Sequence, residues 1–314
     1  MAKKKAPGRA HRKGITLLEL GDLFPDEDAA RSWFESMIWS EGERPCPRCG
    51  SLNTHEASHK KMPYRCRDCR SYFSVKTGSV MEGSPIPLRK WVYAIYLDVT
   101  TLKGVSSMKL HRDLGITQKS AWFMQQRIRE AFAAEGAGGP PMAGPVEVDE
   151  TYVGGKEHNK HASKRLNAGR GPVGKTAVAG VKDRATGRVS ARVVERTDGP
   201  TLKGFIRSNV AQEADVYTDE HGAYRGLPNH ATVAHGVGEY VNGQAHTNGI
   251  ESFWSMLKRG YYGTYHRMSP KHLARYVAEF SGRHNIRDLD TITQMAVVSR
   301  AMVGRRLTYE RLIS

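Results

Sequence analysis

Three acids and a lysine are the residues of this chain best able to do chemistry. In His246-Thr247-Asn248-Gly249-Ile250-Glu251-Ser252-Phe253-Trp254-Ser255-Met256-Leu257-Lys258-Arg259, Glu251 and Lys258 stand seven positions apart. Seven residues is close to two helical turns, so both project from one side, about 10 Å apart along the axis. Ile250, Phe253, Trp254 and Leu257 recur at i, i+3, i+4, i+7 on the opposite side. That face is expected to be buried, leaving the Glu251–Lys258 face open to a ligand. Two further acids each close a β-rich run, Asp149 after Val146-Glu147-Val148 and Asp219 after Val216-Tyr217-Thr218. Magnesium takes oxygen ligands and retains water, so one or two carboxylates per ion suffice. Two such ions can serve both the attacking and the leaving oxygen of an in-line displacement at phosphorus. The pattern therefore predicts a phosphodiester site in which Asp149, Asp219 and Glu251 hold two Mg2+ (or Mn2+) ions. Lys258 would hold a phosphate as a point charge.

Taken singly, an acid after a strand is more often a turn or cap residue, and it is the order Asp, Asp, Glu followed by Lys that points to catalysis. Glu147, Glu150 and Glu220 stand beside the candidates. In a regular strand Glu147 shares a face with Asp149 while Glu150 points away, which makes Glu147 the competitor for the first position. Asn248, one helical turn before Glu251, competes for the third. His235 and His246 are candidates for phosphate or scissile-strand contact, with a satisfied structural role the default for His235.

All four cysteines fall in one window, Cys46-Pro47-Arg48-Cys49 and Cys66-Arg67-Asp68-Cys69, with sixteen residues between the pairs. This is the spacing of a four-sulfur structural zinc site, each C-x2-C knuckle aiming two thiolates at one tetrahedral ion. Disulfides are disfavoured in a reducing compartment, and redox C-x-x-C chemistry wants a βαβ setting that is missing here. Zinc would supply folding energy that so small a core cannot. Arg48, Arg65, Arg67 and Arg70 decorate the ribbon as a phosphate-contacting surface would.

Lysine and arginine outnumber aspartate and glutamate 48 to 32 in 314 residues, a formal charge of +16 spread along the chain. Such a field favours a polyanionic partner, most economically nucleic acid. With neither an apolar run of membrane length nor a signal-like apolar stretch after the lysine-rich start, the expected setting is cytoplasmic, with no membrane partner.

Composition and periodicity divide the chain into a basic flexible tail (1–24), a helix plus zinc ribbon (25–78), a helical segment (79–135), a Gly/Pro-rich linker (136–145), a catalytic domain (146–290) and a C-terminal helical extension (291–314). Within 79–135, a helix over Ser106 to Leu114, a break at Gly115-Ile116 and a second helix capped by Thr117 resemble a helix-turn-helix. Its second helix would offer Gln118, Lys119, Gln125, Gln126, Arg127 and Arg129 to DNA. Past the linker, strands are expected over Val146 to Val153, Thr176 to Lys182 and Arg188 to Glu195. A helix over Thr201 to Val210, strands at Asp215 to Thr218 and Thr232 to Ala234, and the Glu251 helix follow. This α/β order is that of a ribonuclease-H-like mixed sheet with helices. From Lys156 to Lys175 an insertion of low apolar content predicts a mobile loop.

At this point the residues resemble a known family, the zinc-ribbon DDE transposases of bacterial insertion sequences (the ISXO-like group, related to Merlin elements). The resemblance is nearly full-length. It is carried by Cys46-Pro47-Arg48-Cys49-Gly50, Tyr64-Arg65-Cys66, Phe73-Ser74-Val75-Lys76-Thr77-Gly78, Val148-Asp149-Glu150-Thr151-Tyr152-Val153-Gly154-Gly155-Lys156, Tyr217-Thr218-Asp219-Glu220 and the stretch from His246 to Lys258. It implies an enzyme that binds the terminal inverted repeats of its element, cuts to free a 3′-hydroxyl and drives that hydroxyl into target DNA. Its partners would be double-stranded DNA, both element ends and target, with assembly as a homo-oligomer on paired ends in a nucleoid-associated bacterial setting. Asp149, Asp219 and Glu251 become the metal triad and Lys258 the associated basic residue. Members of the group are described with Asn or His at the third position, which leaves Asn248 and Glu251 both open. The rival readings are a ribonuclease-H-like nuclease without strand transfer and a domesticated DNA-binding protein that has lost catalysis.

Overall fold

The structure, a computed structural model, describes residues 14–39, 42–137, 139–166, 169, 171–233 and 246–314. His235 and Ala234 lie outside them. The chain forms two compact units: Met1–Thr101 with Val105–Ala134 and Ile286–Ser314, and Leu102–Gly104 with Glu135–Asn285.

The first unit opens with α1 (Leu17–Leu23), whose N-terminus is closed by a capping box between Thr16 and Glu19, and α2 (Glu27–Ile38), capped by Asp26 accepting from the Ala29 N–H at 2.8 Å. Such caps satisfy donors that the helix itself leaves unpaired. A three-stranded antiparallel ribbon follows: β1 (Thr54–Glu56), β2 (Tyr64–Cys66) and β3 (Tyr72–Phe73). Then come α3 (Leu88–Thr100), α4 (Ser107–Leu114) and α5 (Gln118–Ala137), and from the end of the chain α9 (Thr291–Ala301) and α10 (Tyr309–Ile313). Phe34, Trp91, Ile95, Phe132 and Met295 share one core, so α9 closes the helical body that α2 and α3 begin.

The break between α4 and α5 is as expected, with Gly115 in the left-handed region at φ 57° and Thr117 Oγ1 accepting from the Ser120 N–H at 3.1 Å. The DNA-reading face assigned to α5 needs correction. Gln125, Gln126, Arg127 and Arg129 are 2%, 0%, 8% and 2% exposed, which removes them from any duplex; Gln118 and Lys119 alone of that set are exposed. Gln125 Nε2 donates to the Val105 carbonyl and Arg127 Nε to the Leu307 carbonyl at 3.2 Å. The returning C-terminal segment thus covers part of a face that would be open were α5 read alone.

The second unit is built on a mixed five-stranded sheet in the order β6-β5-β4-β7-β8, a ribonuclease-H-like arrangement. Its strands are β4 (Val146–Val153), β5 (Thr176–Asp183), β6 (Val189–Val194), β7 (Val216–Asp219) and β8 (His230–Val233), and its helices α6 (Gly199–Arg207), α7 (Asn248–Gly260) and α8 (Pro270–Asn285). β4, β5 and β6 pair antiparallel, whereas β7 pairs parallel with both β4 and β8. The β5–β6 turn is set by Asp183, whose Oδ1 accepts from the N–H groups of Ala185 (2.7 Å) and Thr186 (3.0 Å). Strand alternation sorts the two faces. Val146, Val148 and Ala179 join Leu202, Phe205 and Tyr224 on the α6 side. Val178 joins Ile250, Phe253, Trp254, Leu257 and Phe280 on the α7–α8 side. Glu147 and Asp149 therefore face α7. Among the described residues, no helix is long and apolar enough to cross a membrane.

Candidate active site and zinc centre

Asp149 lies within β4 opposite Gly180 of β5. One carboxylate oxygen, Oδ2, accepts from Trp254 Nε1 at 3.0 Å, and Oδ1 accepts from the Glu150 N–H at 2.8 Å. Burial pushes this carboxyl up to about 7, and the negative charges of Glu150, Asp219 and Glu251 push the same way. Three side chains from three separate stretches of chain are thus close enough to act on one carboxylate. Asp219 ends β7, whose parallel ladder with β4 runs Val146↔Val216 and Glu147↔Tyr217; continued by two residues, that register sets Asp219 beside Asp149. Its Oδ1 accepts from the His221 N–H at 3.1 Å. Glu251, in the first turn of α7, is exposed and accepts from Thr247 Oγ1 at 3.0 Å. Asn248 and Lys258 are also exposed, while Ile250, Phe253, Trp254 and Leu257 are buried, as the periodicity anticipates. The carboxylates do not close into a cage: among the described residues, the four cysteines are the one set of three or more such donors lying within 4.8 Å of one another.

Several residues that hold this site carry no signal in the local sequence. Glu147 is 2% exposed. Its Oε1 lies 2.9 Å from Arg184 Nε and 3.1 Å from His246 Nδ1, and its Oε2 accepts from the Ile250 N–H at 2.8 Å. Lys182 Nζ donates to the Gly249 carbonyl at 3.1 Å, and Arg184 Nη2 to the His246 carbonyl. Together these bonds tie the N-terminus of α7 to β4 and to the end of β5. A carboxylate at a helix N-terminus is also favoured by the helix dipole. Gly249 permits the approach, because a Cβ there would lie 2.7 Å from Glu147 Oε2. Gly180 does the same for Trp254, whose Cζ2 would stand 2.5 Å from a Cβ at that position. On the other face of β4, Glu150 Oε2 accepts from Tyr224 Oη at 2.5 Å, and Oε1 lies 3.5 Å from His221 Nδ1. Burial raises the Glu150 carboxyl, Asp219 adds to that, and the Tyr224 hydrogen bond opposes it.

The cysteines are gathered by two equivalent knuckles. The Cys46 N–H donates to the Ser51 carbonyl at 2.9 Å and the Cys66 N–H to the Ser71 carbonyl at 3.0 Å, with Gly50 and Arg70 at positive φ of 75° and 59°. Sulfur–sulfur separations are 3.6 Å for Cys46–Cys69 and 3.7 Å for Cys49–Cys66. A tetrahedron with Zn–S bonds of about 2.3 Å has edges of about 3.8 Å, so the donor set fits one structural Zn2+. Beneath it, the Tyr64 and Phe73 rings pack against Trp39, a core too small to hold the ribbon without the ion. Arg48, Arg67 and Arg70 are exposed and Arg65 half-buried.

A four-thiolate ribbon and a ribonuclease-H-like unit with Asp149 and Asp219 on adjacent strands define the class, a zinc-ribbon transposase of the insertion-sequence type. Residues 141–285 match the ISXO2-like transposase domain, and residues 25–71 match the transposase zinc-ribbon domain. Both matches are to domains of insertion-sequence transposases. It is also similar to a protein of Halobacterium salinarum described as an uncharacterized protein in transposable element ISH50, with 29% identity over 278 residues, covering 84% of this chain and 92% of the relative.

Proposed function

We propose that this transposase binds the terminal inverted repeats of its own element as a homo-oligomer, cuts the strand to free a 3′-hydroxyl, and joins that hydroxyl to target DNA. Asp149, Asp219 and Glu251 would hold two Mg2+ (or Mn2+) ions, which when bound supply Lewis-acid stabilisation of attacking and leaving oxygens. Trp254 orients Asp149 through its indole N–H, and Lys258 holds a phosphate from the same helix face as Glu251. The observation that carries this reading is geometric: the β4–β7 register sets Asp219 beside Asp149, on the sheet face that packs against the helix bearing Glu251, and burial and these neighbouring acids raise the Asp149 carboxyl to about 7. Such a group is poorly stable as a bare anion and well suited to a divalent cation. Glu147 is not a ligand in this scheme, since Arg184, His246 and the start of α7 already surround its oxygens. Glu251 is favoured over Asn248 at the third position because a carboxylate is a stronger ligand than an amide for a hard divalent cation.

The test is a labelled duplex carrying the element's end, incubated with Mg2+ and either the wild type or Asp149→Ala, Asp219→Ala, Asn248→Ala or Glu251→Ala. Cleavage and strand-joined product are expected from the wild type and from Asn248→Ala, and from none of the acid variants. Cleavage by Asp149→Ala overturns the site, an inactive Asn248→Ala beside an active Glu251→Ala overturns the third ligand, and cleavage that never yields joined product leaves a nuclease.

A further inference from the structure

Residues 154–175, between β4 and β5, contain six lysines and arginines and one acid, Glu157. That acid is used up inside the segment. Its Oε2 pairs with Lys160 Nζ at 2.5 Å, and its Oε1 accepts from the Leu166 N–H. Arg165 then donates from Nε to the Lys160 carbonyl at 3.0 Å and from Nη2 to the His158 carbonyl at 2.8 Å. Two short 3-10 turns, Glu157–Asn159 and Ala162–Lys164, close around these bonds. Residues 157–166, with almost no apolar side chains, are thereby given shape by polar contacts, and Lys156, Lys164 and Arg165 are left exposed.

Its placement follows from strand register. β4 runs four residues past Asp149 and pairs with β5 to the last rung, Val153↔Thr176, whereas β7 stops at Asp219. The hairpin therefore overhangs the acids and begins its basic tip about 13 Å beyond Asp149, at about 3.3 Å per strand residue. One strand of duplex DNA advances about 3.4 Å along the axis per phosphate, so this reach is about four nucleotides.

We propose that the 154–175 insertion is a DNA-gripping arm that takes the phosphate backbone about four nucleotides from the reacting phosphodiester. The grip is electrostatic and independent of sequence, because the exposed side chains offer charge without a fixed base-reading surface. This deepens the proposed transposase reading and rests on it for the position of the reacting bond.

The experiment uses the full chain with Asp149→Asn, so that DNA binds without being cut, with and without Lys156→Gln and Lys164→Gln. The Glu157–Lys160 pair and the Arg165 bonds are left intact. Affinity for a duplex carrying the element's end is measured against KCl concentration. Each phosphate that is no longer neutralised should lower the steepness of log K against log salt by about 0.9, so the double substitution should lower it by about 2. A photo-crosslinker attached at Lys156→Cys, close to the last rung of the hairpin, should label the strand about three to five nucleotides from the cleavage position, a range set by the same spacing. An unchanged salt slope, or labelling confined to distant nucleotides, overturns the arm. If the wild type never cleaves yet the slope falls as stated, the chemistry fails and the arm stands; if cleavage is normal and the slope is unmoved, the arm alone fails.

Discussion

Gly180→Ala tests whether Trp254 is held between β5 and the Asp149 carboxylate. The added Cβ would stand 2.5 Å from Trp254 Cζ2, 2.6 Å from Cη2 and 3.2 Å from Ile250 Cδ1, where carbon atoms settle at about 3.5–4.0 Å. The indole must retreat by about 1 Å on that scale, and it is 3% exposed in a packed layer with Phe253 and Leu257. Overpacking of this kind costs about 1–3 kcal/mol, which in a body of some 150 residues lowers the melting temperature by about 2–12 °C. The same displacement stretches the 3.0 Å bond from Trp254 Nε1 to Asp149 past useful length, so Mg2+-dependent cleavage should fall more than stability alone explains. Trp254→Phe removes both clashing atoms and also the donor. The double variant Gly180→Ala/Trp254→Phe should therefore be more stable than the sum of its single changes predicts, with cleavage still impaired. A Gly180→Ala protein that melts and cleaves like the wild type would refute the arrangement, as would strict additivity of the two changes in stability.

Three further outcomes are expected. Asp149 holds its proton up to about pH 7 when folded but releases it near its ordinary value when unfolded, so without added Mg2+ its contribution to stability falls as pH rises from about 4 to 7 and is flat above. Asp149→Asn should lose that decline and gain on the wild type with rising pH in thermal melts; parallel profiles would count against a raised Asp149. Glu147→Ala removes the carboxylate shared by Arg184 and the Ile250 N–H and should cost about 3–5 kcal/mol in urea unfolding, with Glu147→Gln, which keeps an acceptor, costing less. Cys49→Ser should reduce bound zinc from one ion per chain in metal analysis and change the fluorescence of Trp39, which packs on Tyr64 and Phe73; full zinc content in that variant would refute four-sulfur ligation.

Signals of short range were legible in the residues themselves. The C-x2-C pairs, the buried stripe on α7, the individual strand segments of the sheet and the glycine break after α4 each depend on spacing within a few turns or one strand, and the structure has all of them. The α5 surface is not legible in the sequence because four polar side chains on a helix suggest solvent or DNA until it is known which segments cover them. Gln125 bonds to Val105, twenty residues earlier, and Arg127 to Leu307, 180 residues later. The roles of Glu147, Gly180 and Trp254 were hidden for the same reason, since their partners are distant in the chain.

The sequence by itself determined the chemistry on offer: four thiols spaced for one zinc, and three acids with a lysine in the order of a two-metal site, all on a strongly basic chain. Only the tertiary structure decided which carboxylate of Glu147 and Asp149 is engaged by a half-buried arginine and a helix start and which feels the neighbouring acids. The physical reason is that alternation along a strand assigns a face, and both residues share that face, whereas charge and desolvation act through space. Those depend on the helix that packs across β4, which no spacing within β4 can reveal.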